Sequence, residues 1–287
     1  MKTNQLTKLV AILATGLIST FANAQTYFGV GAEYFRSSDV DIKNSSDSLE
    51  VSGGAASITM MQVIGETDAF LAAVSVGKYS YDFDGVERWK DVKEFESFFM
   101  YESGISDRWS LLGLGLVRSG YEENASFSDG LMWGAGLGAK YRSSDTLAYS
   151  FGVAYISRLE EDGLWIPIVG VEWQINDRLY LESMLSFELV YDVTGDGGSL
   201  LSAGLDYNLG DFSLGKNAAA VAESAVHPEG FGFFVGYEQA ITDSFSISAV
   251  VSAQGEQKFE TWSDGQKISS FKTKSGLVYG VGFEFSF

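Results

Sequence analysis

Apolar and polar side chains alternate residue by residue along much of this chain, most visibly at its end. There Leu277, Tyr279, Val281, Phe283, Phe285 and Phe287 fall on one face, against Val278, Gly280, Gly282, Glu284 and Ser286 on the other. A period of two belongs to a strand with unlike faces. The same rhythm sets Leu147, Tyr149, Phe151, Val153 and Tyr155 against Ala148, Ser150, Gly152 and Ala154. It recurs where Leu131, Trp133, Leu137 and Tyr141 alternate with Met132, Gly134, Gly136, Gly138, Lys140 and Arg142. Large apolar groups on one face and small or polar ones on the other suit a wall between hydrocarbon and a polar lumen. A soluble sandwich strand shows the same alternation, so the rest of the chain has to decide. In 109–120, Leu111 and Leu112 interrupt the pattern and suggest a bulge.

Short turns organise the strands. An Asp with polar or glycine neighbours precedes a large apolar residue at Asp68, Asp107, Asp145, Asp177, Asp211 and Asp243, at intervals of 39, 38, 32, 34 and 32 residues. Asp suits such turns because its side chain bonds nearby backbone. Each interval holds two strand-like segments separated by a longer, acidic, glycine-rich stretch, the alternation of short turns and long loops found in membrane barrels. Up-going strands are predicted at 26–35, 69–80, 109–120, 147–157, 179–191, 212–222 and 245–256. Down-going ones fall at 54–64, 93–104, 130–142, 164–175, 198–209, 230–241 and 275–287. The fold class is therefore all-β, a transmembrane antiparallel up-and-down barrel of about 14 strands, with 12 as the alternative because Gly215 to Ala222 alternates poorly. Phe70, Trp109, Phe212 and Phe245 just after turns, and Tyr141, Trp173 and Tyr207 just before them, read as the aromatic girdle at the short-turn end.

The N-terminus bounds the location. Lys2 and Lys8, an apolar run from Leu9 to Ile18, and Ala22-Asn23-Ala24 make a signal peptide over 1–24, leaving the barrel as 25–287. The run is too short to span a membrane as a helix. Without cysteine the chain has no disulfide, and 33 glycines against 2 prolines suit one large sheet. The net charge of −19 makes nucleic acid an unsuitable partner.

Candidate chemistry is sparse. The single histidine, His227, is read as an exposed loop residue, because a triad with Ser224 and Glu229 would need a loop to hold all three in register. Neither Asp82-Phe83-Asp84-Gly85 nor Asp192 to Gly198 has EF-hand spacing, so both read as solvated loop carboxylates. No catalytic residue, cofactor or metal site is expected. By alternation Glu96, Glu102, Glu172, Glu182, Asp206, Glu238 and Glu284 project into the lumen with Lys140 and Arg142. Such carboxylates favour cations in a water-filled pore, or form a paired network that closes it. Lys258, Lys267, Lys272 and Lys274 in the last long loop are placed to meet lipopolysaccharide phosphates, or simply alternate with acidic neighbours.

With its cleavable signal, its turn and loop alternation and its terminal Gly276 to Phe287, the chain resembles bacterial outer-membrane β-barrel proteins, and more loosely uncharacterised porin-like proteins of Gram-negative bacteria. The resemblance implies that the last strand, through Tyr279, Phe283, Phe285 and Phe287, is read by the barrel-assembly machinery, and that outer-membrane lipid and lipopolysaccharide surround the wall. The inward carboxylates, rather than the resemblance, make a porin-like passive channel for small hydrophilic or cationic solutes the expected function. The alternatives are a closed structural or adhesive barrel and, third, an outer-membrane lipid hydrolase; the oligomeric state stays open.

Overall fold

The computed structural model describes residues 26–64, 67–184, 186–216 and 224–287; the signal peptide expected over 1–24 lies outside the described residues. The strands are β1 (Thr26–Ser37), β2 (Val40–Asp41), β3 (Ser48–Ile64), β4 (Asp68–Asp84), β5 (Val92–Gly104), β6 (Trp109–Glu122), β7 (Leu131–Ser144), β8 (Leu147–Ile156) and β9 (Leu164–Asn176). They continue as β10 (Leu179–Glu182), β11 (Phe187–Asp192), β12 (Ser199–Leu209), β13 (Phe212–Ser213), β14 (Ala225–Thr242), β15 (Phe245–Gln254), β16 (Lys258–Ser263), β17 (Gln266–Lys272) and β18 (Gly276–Ser286). Fourteen of them form a closed antiparallel wall, with β2, β13, β16 and β17 standing outside it. The ring closes where β18 pairs with β1, from Gly29↔Ser286 to Ser37↔Val278.

The fourteen are not quite those the turn pattern suggests. The segment expected as one strand over 179–191 doubles back, so that β10 and β11 pair from Leu179↔Tyr191 to Glu182↔Glu188. Two local features fix this reversal. Ser183 ends β10 by bonding Val171 through both its N–H and its hydroxyl. Asp192 accepts the N–H groups of Gly195 and Gly197, two glycines at φ 84° and 78°, and so makes a tight turn of what reads as a long loop. Conversely, the strand expected over 212–222 is not in the wall, because only Phe212 and Ser213 are extended there and 217–223 lie outside the described residues. Strand β12 therefore runs toward the long loops, and Asp211 sits at the opposite end from the other turn aspartates.

The two faces follow the alternation. Leu137, Val169, Phe231 and Trp165 point outward with about two-thirds or more of their surface open, whereas Met132, Ser150 and Phe234 on the same strands or their neighbours are buried inside. No bulge occurs in β6, whose ladders to β5 and β7 keep register through Leu111 and Leu112. Leu111 faces out and Leu112 is an apolar residue turned inward. Phe70, Trp109, Tyr141, Trp173 and Phe245 lie at the short-turn rim as expected, with Trp109 on Tyr141 at 4.8 Å and Phe245 on Phe285 at 4.5 Å. Phe212 does not, being 3% exposed inside the mouth. Tyr207 belongs to a second girdle at the long-loop rim, where its ring lies 4.5 Å from that of Phe231 and tilted to it, and where Trp133, Tyr155 and Trp165 form a row.

Candidate functional site: the lumen and its lid

Every lumen candidate named from alternation falls on the inward side of its strand, although Arg142 is exposed at the short-turn rim. The structure brings three of them together: Lys140 on β7 binds Glu102 at 3.3 Å and Glu172 at 2.7 Å, bridging carboxylates from either side of it. Across the next ladders Glu172 faces Glu182, and Glu182 faces Glu188. Glu284 accepts a hydrogen bond from the Tyr27 hydroxyl. Asp206, Glu238 and Glu96 stand apart from that cluster on β12, β14 and β5. Sequence reasoning passed over Glu33, Glu94, Glu188 and Arg118, which share the inward parity; Arg118 pairs with Glu94 at 3.3 Å. The alternation of their strands already carried that information. The lumen is not uniformly polar, since Tyr27, Met61, Leu71, Phe98 and Met100 form an apolar cluster inside its short-turn half.

The mouth at the long-loop end is covered. Beyond the wall, the top of β14 pairs with β16, and β16 with β17. This ribbon folds inward and carries Phe259 and Phe271 with it. Beneath it Asp211 to Gly215 crosses the lumen from β12 to β6, six steps away round the ring of fourteen, with Ser213 bridging Tyr121 in parallel. Gly215 donates its N–H to the buried Glu122 carboxylate, which also accepts from the N–H of Lys90. The approach is close enough to require Gly120, where a Cβ would lie 2.7 Å from the Asp211 carbonyl oxygen. Trp89, 1% exposed, sits at the centre, with Phe83, Phe212, Tyr81, Phe271 and Phe259 rings 5.2, 5.6, 5.7, 5.8 and 5.9 Å away.

A polar latch ties the lid to the loop after β8. Arg158 donates two hydrogen bonds to the buried Asp211, at 3.1 and 3.0 Å, and also meets Glu161 at 3.0 Å. Burial works against the Arg158 charge, but the Asp211 hydrogen bonds and the carboxylates of Asp211, Glu161 and Glu229 outweigh it and hold its pKa above the usual value. His227 is neither in a loop nor exposed. It lies on β14, fully buried, with Nε2 2.8 Å from the Leu159 carbonyl oxygen and its ring stacked on Trp262. It joins strand to loop, and the carboxylates beside it are Glu161, 3.3 Å from Nδ1, and Asp211, 3.6 Å from Nε2, rather than the Glu229 of the conceivable triad. The loop lysines are engaged with carboxylates: Lys258 and Lys267 with Glu260, Lys272 and Lys43 with Glu256, and Lys274 with Asp41.

No protein-family profile matches the sequence, and no curated protein matches it. Solved structures do. The COG4313 outer membrane channel from Pseudomonas putida F1 aligns over 91% of this chain and 95% of that one, with a TM-score of 0.51 at 12% identity. The Pseudomonas putida toluene transporter TodX aligns over 96% and 93%, at 0.48 and 8%, and the KdgM porin over 90% and 99%, at 0.38 and 12%. At that distance the likeness to the COG4313 structure shows the fold, that of an outer-membrane β-barrel, here a closed antiparallel wall of fourteen strands.

Proposed function

We propose that the protein is a porin-like passive channel of the bacterial outer membrane, carrying small hydrophilic or cationic solutes. The observation that supports this reading is the lumen. Fourteen tilted strands give a ring about 28 Å across from backbone to backbone, lined by their inward side chains. Its inward face carries many carboxylates and few cations, Arg118, Lys140 and Arg142. Rings of Asp and Glu favour cations in other channels. In this reading outer-membrane lipid and lipopolysaccharide surround the wall, and the assembly machinery reads the terminal strand through the outward Tyr279, Phe283, Phe285 and Phe287. The mature chain in planar bilayers should give stable current steps with a reversal potential shifted toward the cation equilibrium. Replacing Glu172 and Glu182 by Gln should reduce that shift. Silence at every voltage would overturn the channel.

One observation favours a second reading, the closed structural barrel: the aromatic lid covers the axial mouth. The conductance measurement decides between them. A hydrolase has no comparable support, because His227 is taken up in binding Leu159.

A further inference from the structure

The wall has a low place. A tilted strand needs about 9–11 residues to cross the hydrocarbon. Yet β10 has 4 and β11 has 6. Their turn reaches only Val171 and Gly170 of β9, where a Cβ on Gly170 would lie 2.9 Å from that of Met184. Strand β9 continues to Leu164, and its outward Trp173 and Trp165 mark the two girdles. The hairpin's ladders therefore stop within the membrane band, and among the described residues no strand stands between β9 and β12 in its long-loop half. On the β12 side the ladder to β11 ends at Phe187↔Leu205, short of the girdle residue Tyr207.

The edge this exposes can be read group by group. The N–H and C=O of Val171 point at the hairpin, so by the two-residue alternation those of Val169, Pro167 and Trp165 point into the gap. Proline has no N–H to strand there, and Pro167 sits at the middle of the three. Among the described residues no strand flanks Leu164 to Gly170 on that side. Backbone left open to hydrocarbon costs several kcal/mol per group, and is tolerated only beside protein or a water-filled space. The gap therefore opens onto the lumen. Its outer rim, Trp165, Val169, Phe187 and Leu205, is apolar, and on the inward side lie Ile166 and Ile168 of β9 and the buried carboxylates of Glu188 on β11 and Asp206 on β12. The Arg158–Asp211 pair closes the frame above.

We propose that this gap is a lateral portal, through which amphiphiles with a cationic head and a short apolar tail pass between the lumen and the outer leaflet. Three features converge on it: the axial mouth is roofed, the wall is low at membrane depth, and the rim is apolar outside and acidic inside. The portal goes beyond the channel reading, which requires only a route along the barrel axis.

The cysteine-free chain allows a direct test. Val169→Cys and Leu205→Cys, bridged by a bismaleimide matched to the roughly 14 Å between strands three spacings apart, would bar the gap. Flux of radiolabelled octyltrimethylammonium and of tetramethylammonium is measured in proteoliposomes before and after bridging. Loss of the octyl flux to the protein-free level, with tetramethylammonium flux retained, is the expected result. Octyl flux that survives bridging, or that is absent beforehand, overturns the portal. Loss of tetramethylammonium flux alone counts against the channel reading, and the octyl comparison still decides the portal. In nanodiscs the Trp165 and Val169 amides should exchange freely while Val171 stays protected; equal protection of all three would also overturn the portal.

Discussion

Replacing Trp89 by Ala should unlatch the mouth without dissolving the wall. Trp89 lies in the loop between β4 and β5 and makes no ladder hydrogen bond, so the barrel does not depend on it. The lid does. A fully buried Trp removes on the order of 200 Å² from water, about 5 kcal/mol of transfer free energy, and large-to-Ala changes in packed sites cost about 3–5 kcal/mol. Five aromatic rings surround this side chain, from β4, the crossing segment and the β16–β17 ribbon, so the loss falls on all three parts of the lid together. At about 1.4 kcal/mol per tenfold, the ratio of open to closed lids should rise by roughly 10² to a few times 10³. Single-channel recording reads this as a higher open probability at low voltage, with Trp89→Phe between the two. Far-ultraviolet circular dichroism, unchanged, would show the wall intact. An Ala variant with the parent's open probability and an intact wall would refute the claim that this aromatic packing holds the mouth shut.

Lys140→Met removes one of the few lumen cations and frees Glu102 and Glu172 from it. The reversal potential should move further toward the cation equilibrium, and an unchanged value would take this cluster out of the solute path. Outside the membrane, hydrogen bonds from Lys272 and Lys43 hold Glu256 down at about 2. Because its folded value lies below the ordinary one, its contribution is fully present above pH 4.5 and is lost as pH falls through about 2. A carboxyl titration by NMR should find its midpoint near that value; a midpoint above 4 would mean the two lysines do not hold it in solution.

What alternation could show, it showed well. Inward and outward parity does not depend on which way a strand runs, so Asp206 and Leu205 face the expected sides although β12 points opposite to the expectation. Turn chemistry was less secure. Asp211 has the same local sequence character as the other turn aspartates, yet its carboxylate is used by Arg158, 53 residues away. Nothing local marks that pairing. His227 failed as an exposed residue for the same reason: Pro228 beside it suggests a loop, while burial comes from Leu159 and Trp262, brought in by the lid. The lid itself was invisible, because Trp89 and Phe212 look like any aromatics near a turn until distant segments meet over the mouth.

The strand count survived two local misreadings for a physical reason. A closed antiparallel ring with both ends at the short-turn rim must hold an even number of strands, so an extra reversal within 179–192 has to be offset, here by the crossing segment leaving the wall. The exchange has a structural cost that the chain meets with its only two prolines. Shortening one hairpin leaves β9 with an open edge, and Pro167 removes an N–H from it. Sending the chain across the lumen after β12 ends the ladder to β14 at Leu209↔Glu229. Pro228 is the next residue of β14, and its missing N–H falls at the break on that side between the ladder to β12 and the short pairing with β13 at Phe212↔Val226, since Phe231 points the other way, to Gly255. Proline in a sheet is confined to places where no neighbour asks for its N–H. Both positions therefore mark where the wall stops being continuous, and the one at membrane depth is where a solute can leave sideways.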